Sequence, residues 1–356
     1  MTTNHASSSA YRYEERQTYL CRVWKEKILP NWDEKKHSRK LRDLVFEGIP
    51  PSVRGEVWKR IIGNPLKVTP ELYSILCEQA KKSRKDFEKL TSEIAIADGD
   101  VGGSGGTVEQ LYSRERSAQK SINLDLPRTF PELTFFHVES SPLQGQLREL
   151  LEAYVCFRPD IGYTQGMSYL AAGLLLYMDP CDAFISFCNL LHRSCFLSFF
   201  SMKLPDVQIY LQTHQRLFKS ELLVLYEHFE RIRIEPEMYM VGWIMSAYCR
   251  ALPLDVVFRV WDGFILDGDA YLFRTALGIL KYFEDTLLKS SFEECAFLLS
   301  HIPQDHIISD VLFQKIRSLS GVSKKRFKHI YHKCEKEMSQ WNGEYFQASW
   351  KQQQQK

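Results

Sequence analysis

Two side chains in this sequence, Arg128 and Gln165, are presented in ways that suit work on something outside the chain. Gln165 lies in Asp160-Ile-Gly-Tyr-Thr-Gln-Gly-Met167, which reads as a turn opening into a helix. Gly162 and Gly166 permit unusual dihedrals and close backbone approach there. From Met167 to Met178 no residue is charged. The run predicts a buried helix, with the Gln165 carboxamide held at the mouth of a rigid apolar support. An amide donates and accepts at once, so it can hold a water and touch a backbone group together. Arg128 lies in Ile122-Asn-Leu-Asp-Leu-Pro-Arg-Thr-Phe130. Pro127 fixes its own φ and pushes Leu126 towards extended geometry, so Arg128 leaves a kinked, non-helical segment. Its guanidinium stays charged and offers a planar fork of donors, which a lysine would not.

These two segments need elements that bring them together. Between them, Ser141-Pro142 starts a helix whose Leu143, Leu147, Leu150, Leu151, Tyr154 and Val155 follow the i, i+4, i+7, i+8 stripe. At about 1.5 Å per residue it spans on the order of 25 Å, so the flanking loops must fold back for the side chains to converge. Upstream, Gly48-Ile-Pro-Pro51 is a turn, Ser52 can cap the next helix, and Val53, Val57 and Ile61 mark its buried stripe. Arg54 and Trp58 are one turn apart on that helix and can stack as a cation–π pair worth roughly 0.5–2 kcal/mol. This pair reads as support for the loops, with direct contact to a partner as the second reading.

Three short motifs therefore stand in order: Arg54 with Trp58; Ile122, Asp125 and Arg128; Tyr163 with Gln165 and Gly166. In this order and spacing they resemble the TBC domain of Rab GTPase-activating proteins. The resemblance runs from about Gly48 to Gly268 and takes in the Arg259-Val-Trp-Asp262 stretch as a later signature. Within that family the chain resembles the branch involved in endosome-to-autophagy traffic. The resemblance implies an all-α, two-lobed helical domain with extra N- and C-terminal helices. It implies that Arg128 is an arginine finger and Gln165 a glutamine finger, acting in trans on a GTP-bound Rab-family GTPase. GTP and magnesium would belong to that partner, and this chain would need no cofactor or metal of its own. Asp125 would pair with a nearby cation or cap backbone donors, and Tyr163 would lock the turn by packing. A catalytically silent Rab-binding scaffold, in membrane traffic or autophagy, is the alternative that the same motifs allow.

The rest of the chain agrees with a helical protein, since sustained period-two alternation is scarce. Residues 1 to 12 read as a disordered leader and 13 to 47 as N-terminal helices, with Tyr19, Val23, Trp24, Ile28 and Leu29 at helical spacing before Pro30. The Lys- and Arg-rich stretch from Lys35 to Phe46 reads as a solvated face. Thr69-Pro70-Glu71 starts a helix to about Leu90, and residues 97 to 107 read as a flexible Gly-rich loop. That loop lacks the Gly-Lys-Ser/Thr of a phosphate cradle. Asp179-Pro180 starts a helix bearing Phe184, Phe187, Cys188 and Leu191. Leu204-Pro205 precedes one expected to reach Phe229. Pro236 opens one containing Trp243, Ile244 and Tyr248, and Pro253 one carrying Val257, Val260 and Trp261. Residues 269 to 340 supply further helices, and 341 to 356 a polar tail.

Composition sets the outer limits. The 356 residues carry 46 basic and 44 acidic side chains, a net charge of +2, which gives no nucleic-acid footprint. Cys181, Cys188 and Cys195 recur every seven residues and fall roughly on one helical face, yet two turns apart they are too distant to share a metal. His329, His332 and Cys334 lack a matched ligand set and read as incidental. Cys181, Cys188 and Cys195 read as buried small hydrophobes, and nine cysteines with no Cys-x-x-Cys pair fit a reducing, cytosolic compartment. No nucleophile–base constellation is visible. The uncharged run from Ile161 to Met178 contains three glycines and three polar residues, so a core helix is preferred over a membrane span. The expected location is cytoplasmic, peripheral on endosomal, Golgi or autophagy-related membranes, with recruitment through the partner.

Overall fold

Prolines open several helices of this chain, because proline lacks an N–H where a helix has no partner for one and its φ already suits the first turn. In the computed structural model, helices begin at Pro51, Pro70, Pro142 and Pro180, and Pro205 sits in the first turn of another. The structure describes residues 14–96, 108–133, 136 and 141–354. Among these the chain is helical and contains no strand. The expected leader and the Gly-rich loop lie outside the described residues. The chain divides into two compact units, Met1–His192 and Arg193–Lys356.

The first unit is built around Met167–Leu175, which packs between Pro142–Phe157 and Pro180–Leu191. Every residue of this short helix except Tyr169 is buried. Gly173 in its middle costs about 1 kcal/mol in helix propensity, which a single fully buried Leu, at roughly 1.5–3 kcal/mol, outweighs. Pro70–Ile96 lies against Pro142–Phe157, and Pro51–Ile62 against Pro180–Leu191. Asp179 caps the latter helix, its carboxylate accepting from the Cys181 and Asp182 amides at 3.1 Å each. A surface ion pair, Lys59 Nζ to Asp182 at 2.6 Å, joins the two helices.

Several local expectations change in the folded chain. Ser52 does not cap Pro51–Ile62; with Pro51 at its first position the helix starts two residues earlier than a Ser52 cap would place it, and the Ser52 hydroxyl lies 3.2 Å from Cys21 Sγ. Ile62 rather than Ile61 completes the buried stripe beside Val53 and Val57. Leu20, not Tyr19, joins Val23, Trp24 and Ile28 in the core, at i, i+3, i+4 and i+8 along one helical face. Leu143 is only half-buried at the start of its helix. The helix from Pro70 continues to Ile96.

In the second unit, Asp269–Tyr282 is buried over most of its length and packs against Ser309–Ser318, Leu254–Asp267 and Lys324–Gln354. The expected helix to Phe229 is two, Leu204–Glu221 and Leu223–Ile232, broken where buried Leu222 takes φ −137° and ψ 56°. Tyr248 lies beyond Glu237–Met245, at φ 68°, with its hydroxyl donating to the Leu272 carbonyl at 2.6 Å. Arg259 spreads over Phe313 at 4.0 Å and pairs with Asp310 at 2.9 Å. Trp261 donates to the Ala247 carbonyl at 2.9 Å, so the Arg259-Val-Trp-Asp262 stretch holds helices together. Cys195 falls in a separate helix, Ser194–Phe200, and does not extend the face carrying Cys181 and Cys188. The final helix runs through the expected tail to Gln354.

Candidate functional site

Val108–Asp125 ends in a single 3-10 turn, Leu126–Arg128, formed around Pro127. Arg128 leaves this turn with 54% of its side chain exposed. Its Nε donates to Asp125 Oδ1 at 2.6 Å, and Nη2 reaches the same oxygen. Both contacts hold one edge of the guanidinium. Among the described residues Nη1 meets no partner and remains available as a donor.

The Gln165 turn is wound around one carbonyl. Arg158 O accepts from the Ile161 and Gly162 amides at 3.1 and 2.8 Å, while the Arg158 guanidinium forks onto Asp160 at 2.8 and 2.7 Å. That hydrogen bond is the main reason the Asp160 carboxyl lies below, and the Arg158 guanidinium above, its ordinary range. Gly162 has φ 68° and Gly166 φ 103°, the left-handed region that an L side chain avoids. At Gly162 the dihedral is the whole requirement, since an added Cβ would meet nothing within 4 Å. Gln165 is exposed at the turn, immediately before Gly166 caps Met167–Leu175.

Folding brings the two segments into contact. Tyr163 donates its hydroxyl to Asp125 Oδ2, so one carboxylate, 3% exposed as a residue, grips Arg128 with one oxygen and the glutamine turn with the other. Burial first, and the bond to Asp125 second, drive the Tyr163 phenol upward, which keeps it a proton donor. Asp125 therefore pairs with a cation, and Tyr163 holds the turn by a hydrogen bond in addition to packing. Two further links join the segments: Thr129 Oγ1 lies 2.8 Å from Ser168 Oγ, and Tyr169 donates to the Arg128 carbonyl at 3.1 Å. Thr129, Ser168 and Tyr169 escaped the sequence reading. A serine inside an uncharged core helix was the available signal, because a buried hydroxyl implies a partner.

Ile122 is 1% exposed and anchors the Val108–Asp125 helix from beneath. Arg54 and Trp58 meet Tyr177, beyond the C-terminal end of Met167–Leu175. The Arg54 guanidinium, on a residue 7% exposed, sits 5.8 Å from the Trp58 ring and 5.0 Å from that of Tyr177, and donates to the Tyr177 hydroxyl at 2.9 Å. Gly55 lets this helix press on the chain that follows Met167–Leu175: a Cβ there would stand 1.9 Å from the Tyr177 carbonyl oxygen. The Arg54 motif thus clamps the far end of the helix that Gln165 introduces. Arg54 and Trp58 are both buried within this chain. Elsewhere, His332 pairs with Glu335 at 3.0 Å while Cys334 is buried, and no group of metal-ligating side chains occurs among the described residues.

The helical first unit thus turns a guanidinium and a carboxamide outward from two segments held in contact. A family model described as the Rab-GTPase-TBC domain matches residues 51–288. TBC1 domain family member 12 of Xenopus tropicalis is 42% identical over 308 residues, covering 86% of this chain and 43% of that protein. TBC1 domain family member 14 of Homo sapiens is 41% identical over 315 residues, covering 88% and 44%. Drainin of Dictyostelium discoideum is 34% identical over 323 residues, covering 84% and 74%. Among solved structures, the flagellar RabGAP TBC domain of Chlamydomonas superposes with a TM-score of 0.66 at 21% identity, over 88% of this chain and 94% of that one. That likeness shows the fold. The chain belongs to the Rab-GTPase-TBC domain family, whose members are activators of GTPases, and it spans less than half the length of the first two relatives.

Proposed function

We propose that this chain completes the active site of a Rab-type small GTPase and so accelerates its hydrolysis of GTP. Such GTPases are slow because charge building on the transferring phosphoryl group is poorly neutralised and the attacking water is poorly held. Arg128 supplies the charge through its free edge, and Gln165 orients the water with its carboxamide. In Ras-type and Gα systems an arginine finger gives about 10³–10⁵ in rate, or roughly 4–7 kcal/mol. GTP and magnesium belong to the partner, and this chain carries neither.

The observation that carries the reading is the shared carboxylate of Asp125, which ties exposed Arg128 to the turn presenting exposed Gln165. Both tips face solvent, and their supports are buried. No single helix among the described residues is long and apolar enough to cross a membrane. In this reading the lipidated partner brings the chain to endosomal, Golgi or autophagy-related membranes.

The test is single-turnover hydrolysis across a panel of purified GTP-loaded Rabs, with Arg128→Ala protein as the control. Stimulation of at least one Rab by the parent and not by the variant supports the proposal. Binding to GTP-loaded Rab without faster hydrolysis would make the chain a silent Rab-binding scaffold instead.

A further inference from the structure

We infer that Thr129, Ser168 and Tyr169 form a hydroxyl latch that sets the Arg128 segment against the Gln165 turn, and that they are positioning residues for the activity proposed above. The latch begins where a helix ends. Within a continuing helix the Asp125 carbonyl would accept from the Thr129 amide, but the turn at Pro127 sends that amide to the Leu126 carbonyl at 3.3 Å. The Thr129 hydroxyl takes its place, donating to the Asp125 carbonyl at 2.7 Å. The same hydroxyl points to Ser168 Oγ at 2.8 Å, so its one proton is shared between the Asp125 carbonyl and the Ser168 oxygen. Both side chains are fully buried, and the contact between them forms only when the two segments meet.

Tyr169 closes the outer side. Its hydroxyl donates to the Arg128 carbonyl, and its ring meets the Phe130 edge at 5.6 Å. Phe130 is buried at φ 49°, a conformation that a bulky residue keeps only when its surroundings hold it. Arg128 is thus fixed at its carbonyl by Tyr169 and flanked by a strained residue that the same ring supports. A carboxamide and a guanidinium can act together only if their backbones keep one spacing. Asp125 and Tyr163 tie the side chains, and the hydroxyl latch ties the backbones.

This inference rests on the GTPase-activating reading only for its kinetic arm. The experiment uses the full chain with Thr129→Val, Tyr169→Phe and the conservative Thr129→Ser. Thr275→Val is the control: a buried threonine of the second unit whose hydroxyl bonds only its own helix, at 2.9 Å to the Tyr271 carbonyl. Without any partner, amide hydrogen exchange over residues 158–166 should quicken at least tenfold in Thr129→Val and stay unchanged in Thr129→Ser and Thr275→Val. With a Rab that the parent stimulates, Thr129→Val and Tyr169→Phe should each lower kcat at least tenfold with KM for the Rab unchanged, and Thr129→Ser should restore it. Exchange in the turn equal to that of the parent overturns the latch. A loosened turn with unaltered kcat overturns the positioning role. If Thr129→Val does not fold, Tyr169→Phe, which removes one exposed hydroxyl, decides both arms. Parent protein that stimulates no Rab, or Arg128→Ala protein that stimulates as well as the parent, defeats the proposed function instead, and the exchange arm still judges the latch.

Discussion

Tyr163 donates its hydroxyl to Asp125 across 38 positions of sequence, and the carboxylate it reaches is the one that holds Arg128. That bond links two motifs which a whole helix, Pro142–Phe157, separates along the chain. Asp125→Ala leaves the half-buried Tyr163 hydroxyl without this acceptor and should destabilise the protein by about 1–3 kcal/mol. Tyr163→Phe removes the donor alone and should cost about 1 kcal/mol. Urea unfolding measures both, and equal stability of parent and Asp125→Ala would contradict the bridge.

Arg128→Ala should reduce stimulation of a responsive Rab by about 10³-fold or more and leave the protein folded, with some loss of stability because the buried Asp125 carboxylate loses its cation. Arg128→Lys keeps the charge and loses the fork, so it should recover only a small part of the rate. Gln165→Ala should lower kcat more than it raises KM for the Rab. Single-turnover kinetics separate these terms, and wild-type rates in either alanine variant would remove the two-finger mechanism.

Gly55→Ala should be among the most damaging single-methyl additions in the chain. Its Cβ would stand 1.9 Å from a backbone oxygen, which no rotamer change relieves. A loss of 3 kcal/mol or more is expected, at or above the usual range of about 1–3 for overpacking. Gly166→Ala carries a different penalty, about 1–2 kcal/mol for a left-handed residue with a Cβ. Melting temperatures should fall in that order.

His214 makes stability depend on pH. It is fully buried among Phe218, Tyr239 and Phe273, with Nε2 at 2.8 Å from the Tyr239 hydroxyl and Nδ1 unpartnered. Burial pushes its pKa down from 6.5 to about 3. The folded value lies below the unfolded one, so the unfolded state binds the proton more readily. The neutral imidazole's contribution is therefore complete above about pH 6.5 and drains away as pH falls towards 3. Each unit in that window removes up to about 1.4 kcal/mol. Between pH 6.5 and 5 the parent should lose roughly 2 kcal/mol in urea unfolding, and His214→Gln distinctly less.

Much of this site is legible in the sequence. Pro127, Gly162 and Gly166 dictate their own dihedrals, so the kinked Arg128 segment and the left-handed entry to the core helix follow from residue type. The uncharged run after Gly166 has nowhere to go but the interior. The Arg54–Trp58 stack follows from an i, i+4 spacing, which places side chains together wherever the helix lies.

Other features turn on distances between residues far apart in the chain, and no local pattern encodes them. Tyr177 as the second face for Arg54, the Thr129–Ser168 contact and the break at Leu222 are of this kind: each depends on which surfaces the packed helices bring within reach. The sequence by itself determined the all-helical character, the two outward side chains and the motifs that mark the family. Tertiary structure alone decided that Asp125 serves both segments, because a carboxylate can bridge two loops only after the intervening helix has folded them back onto each other.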